Sequence, residues 1–486
     1  MKKGFVRYGA LGIGLLVLTA AAFVVFSPSS YGTTPDKEGF APMNPEFIRY
    51  LNDRKAGKSW VTVTKDGHFL GSIPSPHDTS HLIPLPDPVP ADSLPASYDL
   101  RTKNKVTSVK DQGSAGTCWS FATYGSLESY FKPGATWDFS EQNLADHHGF
   151  DYSINEGGHM WMSAAYLGRW AGPLNETDDP YQYATPDGAS PKKHVQNIVM
   201  MDERKSATDN VKIKNAIINN GAVYVSFCWF ESAYNSANAA YYYSGSTQGG
   251  GHAVTIVGWD DNYSKSKFKS APSGNGAFIV KNSWGASWGK SGYFYVSYYD
   301  KWFGKRGGTA VFKGEPTTNY KTNYGYDPLG WVGNAYTDTA GDTKWFSNIF
   351  TASPAGSLKA VGFYAAANSN PYEIYIYTNV TSNKPRSGTL AKTKKGTISG
   401  WGYYTIPLGT NVALANGKKF SIVVKLTTKG YNYPIPIEYK ASGYSSGATA
   451  KAGQSFVSSN GTSWTDAFTK WGSSNANVCL RGYTKY

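Results

Sequence analysis

Hydrophobic and polar positions change rhythm several times along this chain, and each change marks a different kind of element. From Gly9 to Phe26 runs an uncharged stretch of 18 residues, preceded by Lys2, Lys3 and Arg7. From about residue 31 to 93 the pattern is polar and irregular, ending in a run that holds Pro74, Pro76, Pro84, Pro86, Pro88 and Pro90. Proline has a fixed φ and no N–H to donate, so this run predicts extended, polyproline-like chain rather than helix or central strand. Behind a glycine loop, Trp119, Phe121, Ala122, Leu127, Tyr130 and Phe131 recur broadly at helical spacing, which predicts a helix opening at Cys118. Later runs such as Val223–Cys228 have strand length. From about Pro316 onward, short alternating segments, among them Tyr372–Tyr377 and Phe420–Lys425, are separated by Gly, Asn and Ser turns. Many short strands with turns between them predict an antiparallel sandwich.

The rhythm divides the chain into residues 1–30, 31–93, 94–315 and 316–486. The first region has a basic head before an apolar core, the layout of an export signal. Its apolar stretch also reaches the lower limit for a membrane-spanning helix, about 17 residues. Ala20 and Ala22 are small, but Phe23-Val24-Val25-Phe26 follows, so no clear cleavage site closes it. A removed signal peptide and a retained N-terminal membrane anchor both fit. Either puts the remainder in an extracellular or cell-surface location, with the membrane touched only through this segment.

A length of 486 residues fits two folded units plus a leader. The net charge is +13, but its lysines are scattered, with no dense basic run beyond the N-terminus. That describes a solvated surface and argues against nucleic acid as a partner. The three cysteines are an odd number, which leaves at least one thiol free in an exported chain. Cys228 and Cys479 lie in apolar runs and read as buried small residues. Cys118 does not.

Cys118 opens the predicted helix, where unpaired N–H groups and the positive end of the helix dipole favour a thiolate. Gly249-Gly250-Gly251-His252 sets a histidine at the mouth of an apolar strand. Asn282 ends another, and Ser283-Trp284-Gly285 follows it. One helix start and two strand ends can bring Cys, His and Asn together, the set needed to activate a thiol for attack on an acyl carbon.

Gln112-Gly113-Ser114-Ala115-Gly116-Thr117-Cys118-Trp119-Ser120-Phe121, then His252-Ala253-Val254 with Val257-Gly258-Trp259, then Lys281-Asn282-Ser283-Trp284-Gly285, together resemble the papain-like cysteine peptidases. Leu94–Arg101 is similar to that family's mature N-terminus. Phe139–Leu144 is similar to one of its helices, Asn155-Glu156-Gly157-Gly158 to the edge of its cleft, and Gly292–Val296 to its closing strand. His252 follows Cys118 by 134 positions (252 − 118), a separation the family shows. The resemblance implies an α+β, papain-like two-lobed peptidase at 94–315, with a helical lobe and a β-barrel-like lobe. Residues 31–93 would be its pro-segment, and 316–486 a β-sandwich like the lectin-like domains of some prokaryotic members.

It also implies roles. Cys118 would attack the scissile carbonyl, His252 would shuttle the proton as half of an ion pair, and Asn282 would orient the imidazole. Trp284 would cover that bond, and Gln112 with the Cys118 N–H would hold the oxyanion. Gly157, Gly158, Met160, Gly251 and Trp284 would line the substrate site. No cofactor and no metal are expected. The partners expected are protein or peptide substrates and, through the C-terminal domain, a cell-surface glycan.

The chain departs from the family in places. Ala115 and Glu156 stand where a disulfide pair is usual, and Gly251 replaces an acidic residue. His147-His148 reads as surface, and Asp178-Asp179 and Asp260-Asp261 read as turns. Two other functions compete: a catalytically idle binding protein on the same scaffold, and a non-peptidase Cys-His acyl-transfer enzyme.

Overall fold

Asn44 caps the first helix, α1 (Pro45–Lys55), accepting the N–H of Glu46, while Pro45 sits in the first turn where no N–H is needed. Burial of Phe47 and Tyr50 on one face carries it to Lys55. The helix predicted at the cysteine is α2 (Cys118–Phe131), followed by α3 (Glu141–His147) and α4 (Met160–Gly168). Helix α2 is buried along nearly its whole length, so its side chains are mostly small or apolar on every face, with the buried Glu128 the charged exception. The computed structural model describes Met1 and residues 39–182, 189–306 and 308–486. The expected signal or anchor lies outside the described residues. Among those described, no helix is long and apolar enough to cross a membrane.

The strand runs form β1 (Lys193–Met200), β2 (Val223–Trp229), β3 (Gly250–Asp260), β4 (Ala277–Lys281), β5 (Tyr293–Ser297) and β6 (Thr309–Pro316). Further on, β7 (Gly356–Ala365), β8 (Gly402–Leu414) and β9 (Leu480–Lys485) belong to the C-terminal region. All of them join one 13-stranded sheet, in the order β9-β7-β8-β1-β6-β2-β3-β4-β5 through its middle. The seam is the pairing of Gly402 and Tyr403 with Val199 and Ile198. The expected sandwich is therefore present but not separate, because its first sheet continues into the strands of residues 193–316. A six-stranded sheet supplies the second layer, and the segments predicted at Tyr372–Tyr377 and Phe420–Lys425 are neighbours in it. Ile374, Ile376, Ile422 and Val424 alternate inward and are fully buried.

Two apolar clusters hold the two lobes of the region before residue 316. One contains Cys118, Trp119, Met160, Trp161 and Ala253 and runs on into the C-terminal domain. The other fills the β lobe around Val254, Trp259, Trp284 and Phe294. Residues of the predicted site thus lie where the two clusters meet. Beside them, the Lys110 ammonium bonds Glu128 of α2 at 3.3 Å and Glu141 of α3 at 2.8 Å. This pins the loop that leads to Gln112.

Candidate active site

Each predicted catalytic residue comes from the expected kind of element. Cys118 is the first residue of α2, and His252 is the third of β3. Asn282 directly follows β4. The Ala253 N–H, one residue past the histidine, donates to Cys118 Sγ at 3.4 Å. His252 Nε2 bonds Asn282 Oδ1 at 2.8 Å, leaving Nδ1 as a buried nitrogen without a hydrogen-bond partner. Nδ1 is therefore the ring atom free to exchange a proton with sulfur. Trp284 lies over the imidazole with centroids 4.6 Å apart and is itself 2 % exposed, so it shields the His252–Asn282 bond from water.

The Gln112 side chain is fixed at both ends. Its Oε1 accepts from Ser283 Oγ at 2.7 Å, and its Nε2 donates to the carbonyls of Ala115 at 2.8 Å and Phe69 at 3.0 Å. Tyr181 donates to the Gln112 carbonyl at 2.9 Å. Sequence reading did not single out Ser283 or Tyr181, whose role is visible only in these bonds.

Residues 68–73 lie across this constellation. His68 stacks on Trp284 with centroids 4.6 Å apart. The Gly158 N–H donates to Gly71 O at 2.9 Å, the Ile73 N–H to Gly158 O at 3.1 Å, and the Ser72 N–H to Gly251 O at 3.0 Å. The bridge between Ser72 and Gly158 is parallel. A Cβ on Gly71 would stand 2.0 Å from Gly116 O, and one on Gly251 would stand 1.9 Å from Ser72 O, so both glycines allow main chain to approach main chain. The groove takes Phe69–Ile73, just ahead of the proline run, in which Pro74 and Pro76 are buried while residues 86–88 and 90–93 are exposed. Proline could not donate the N–H bonds that this groove accepts. Gly71-Ser72 between apolar residues is the sequence signal that could have found the true occupant.

Of the expected substrate residues, Gly157, Gly158, Gly251 and Trp284 all face this strap. Met160 is buried in the same cluster as Ile73 and Cys118. Other expectations need correction. His148 is not on the surface: it is 2 % exposed, and its Nδ1 accepts the Phe150 N–H at 2.9 Å. Asp178 and Asp179 do lie in a turn, closed by their N–H groups on the Asn175 carbonyl, and Asp179 is fully buried there, accepting from Asn143 Nδ2 at 2.8 Å. His159 caps α4 by accepting the Trp161 N–H, a packing role. All three cysteines are free and buried. Among the described residues, no group of His, Cys, Asp and Glu could hold a metal ion.

Under the strap, burial pushes the Cys118 thiol up to about 11, against the lowering effect of the Ala253 and Gly71 N–H groups. Burial likewise pulls the His252 imidazole down to about 4, although Asn282 favours the charged ring. Both shifts favour the neutral pair, so the ion pair implied by the family resemblance is discharged while the strap is in place. In the uncut chain, alkylation of Cys118 should therefore climb about tenfold per pH unit towards pH 11. Freeing the cleft should move that profile down towards neutral pH. Equal rates at pH 7 before and after would contradict this.

The sequence model of the papain family cysteine protease matches residues 94–307, and that of a lectin-like domain matches residues 323–484. The chain carries a papain-family cysteine protease domain. Cysteine proteinase 15A of Pisum sativum is 32% identical over 222 residues, 43% of this chain and 59% of that protein. A viral cathepsin of Adoxophyes honmai nucleopolyhedrovirus is 30% identical over 243 residues, 49% and 66% of the two chains. This chain thus spans about three fifths of the length of the curated relatives it matches. A solved structure holds the cysteine protease and lectin-like domains of Cwp84, a surface layer associated protein of Clostridium difficile. It is 27% identical with a TM-score of 0.76, covering 93% of this chain and 98% of its own. A structure of Cwp84 after propeptide cleavage is 28% identical with a TM-score of 0.69, covering 80% of this chain and 99% of its own. The first of these pairs a cysteine protease with a lectin-like domain, as the two matched models do here.

Proposed function

We propose that this protein is an exported cysteine endopeptidase, held latent by residues 31–93, that hydrolyses peptide bonds through a thioacyl intermediate on Cys118. One observation carries the reading. A peptide backbone already lies over the sulfur, with the Phe69 carbonyl on the Gln112 amide and Gly71 to Ile73 bonded to Gly158 and Gly251. A groove that binds main chain at those points is built for polypeptide, which distinguishes it from a generic Cys-His acyl-transfer site. In the reaction His252 takes the thiol proton at Nδ1, sulfur adds to the carbonyl, and the oxyanion meets the Gln112 amide and the Cys118 N–H. His252 then protonates the leaving amine, and water releases the acyl group by the same route.

Export is supported by the basic head and apolar stretch at residues 2–26, and by the printed description of the matched clostridial protein as surface layer associated. The lectin-like match supports a cell-surface glycan as partner of residues 316–486. A glycan array probed with the full chain tests that part.

Peptide turnover by the uncut chain, the Cys118→Ala chain and the Gly71→Val chain tests the whole reading. Valine at 71 collides with Gly116 O, so the strap loses its seat at a cost of about 1–3 kcal/mol. The uncut Gly71→Val chain should then turn over peptide roughly tenfold faster than the uncut parent, and Cys118→Ala should show none. Equal rates for Gly71→Val and parent would refute latency. Turnover by Cys118→Ala would refute the nucleophile.

A further inference from the structure

Helix α1 bridges the two walls of the cleft by charge. At its start Glu46 pairs with Arg306, which also donates to Cys228 Sγ at 3.2 Å, on the strand beside Gly251. At its end Arg54 pairs with Glu156 at 2.7 Å, next to the Gly157–Gly158 edge. The Arg306 side chain is only 8% exposed and Glu156 38%, so each peptidase charge is partly covered by its pro-segment partner. Glu156 stands where the papain resemblance leads one to expect a cysteine, and no cysteine faces it here. Release of the segment leaves an uncovered guanidinium on one wall and an uncovered carboxylate on the other.

We infer that the freed peptidase selects peptides of split charge, with a basic side chain received by Glu156 and an acidic one by Arg306, where Arg54 and Glu46 act as stand-ins. This rests on the peptidase reading above. Glu46 and Arg54 are eight positions apart (54 − 46), about 12 Å along a helix at 1.5 Å per residue. An extended peptide rises about 3.3 Å per residue, so it spans that distance in roughly four residues. The preferred substrate therefore carries its basic and acidic side chains about four positions apart, in one order along the chain and not the other.

Partly exposed charge pairs are modest, so each charge is worth about two- to fivefold in kcat/KM. The full chain is cut by limited proteolysis in the exposed run 90–93 and assayed on matched peptides. These carry Lys and Glu four residues apart, in both orders, beside a neutral Gln version. One order should be cleaved about 4- to 25-fold faster than the neutral peptide, and the advantage should vanish near 1 M salt, where charges are screened within about 3 Å. Glu156→Gln should remove the Lys contribution and Arg306→Gln the Glu contribution, each read as the ratio of charged-peptide to neutral-peptide kcat/KM within the same variant. Arg306→Lys and Glu156→Asp should keep the preference, which separates charge from packing. Rates indifferent to charge, or a preference that survives both Gln variants, overturn the inference and leave the peptidase reading standing. Absence of any Cys118-dependent cleavage, the neutral peptide included, overturns both.

Discussion

Alanine in place of His252 should slow peptide hydrolysis by at least about four orders of magnitude while the chain stays folded. Two losses combine. The thiol stands at about 11 when buried and near its ordinary value of 9.0 when wetted. Without the imidazole, between about one in 10² and one in 10⁴ molecules would hold a thiolate at pH 7. The leaving amine also loses its proton donor, a role worth about 10²–10⁴. The variant should recover activity as pH rises, because hydroxide can then make the thiolate unaided. His252 is fully buried and stacked against Trp284, so thermal melting must accompany the kinetics to show that the fold survives. A loss below about tenfold in a folded variant would mean that the proton moves by another route.

Alanine at Gln112 should cost about 100- to 1,000-fold in kcat, or 2.7–4 kcal/mol, with KM little changed. The reason lies in where its Nε2 points. That N–H already holds a peptide carbonyl, Phe69 O, at 3.0 Å, and a developing oxyanion would use the donor more strongly than a neutral carbonyl does. Gln112 also anchors Ser283 through Oε1 at 2.7 Å, so alanine loosens the neighbour of Asn282 as well. Glutamate separates the two effects. It keeps an oxygen for Ser283 and removes the donor, so Gln112→Glu should be at least as slow as Gln112→Ala. Near-normal kcat in Gln112→Glu would assign the residue to scaffolding alone.

The meeting of the three candidate side chains was legible because their setting is local. A glycine loop before an apolar helix, and polar residues at the ends of two apolar strands, place Cys118, His252 and Asn282 with little help from distant contacts. The strap was not legible. Its seat depends on Gly71 meeting Gly116 and Ser72 meeting Gly251, encounters between residues 45 (116 − 71) and 179 (251 − 72) positions apart. Prolines, whose ring nitrogens have no N–H to donate, marked the chain after Ile73, and much of that run, residues 86–88 and 90–93, is exposed. The shared sheet was hidden for a similar reason, since the pairing of Gly402 with Val199 leaves no trace in either segment's own alternation. His148 and Asp179 look polar and therefore superficial. His148 Nδ1 accepts a main-chain N–H and Asp179 Oδ2 an asparagine amide, partners that spacing cannot reveal.

Covalent catalysis by one sulfur is the claim on which the rest depends. Rapid quenching of the cleft-freed chain during turnover of a slow ester substrate, followed by intact and peptide mass measurement, tests it directly. The expected result is one substrate acyl group per chain, carried by the peptide that contains Cys118 and absent from Cys118→Ala. Undiminished turnover with the acyl group on Cys228 or Cys479, or with none on any cysteine, would contradict it.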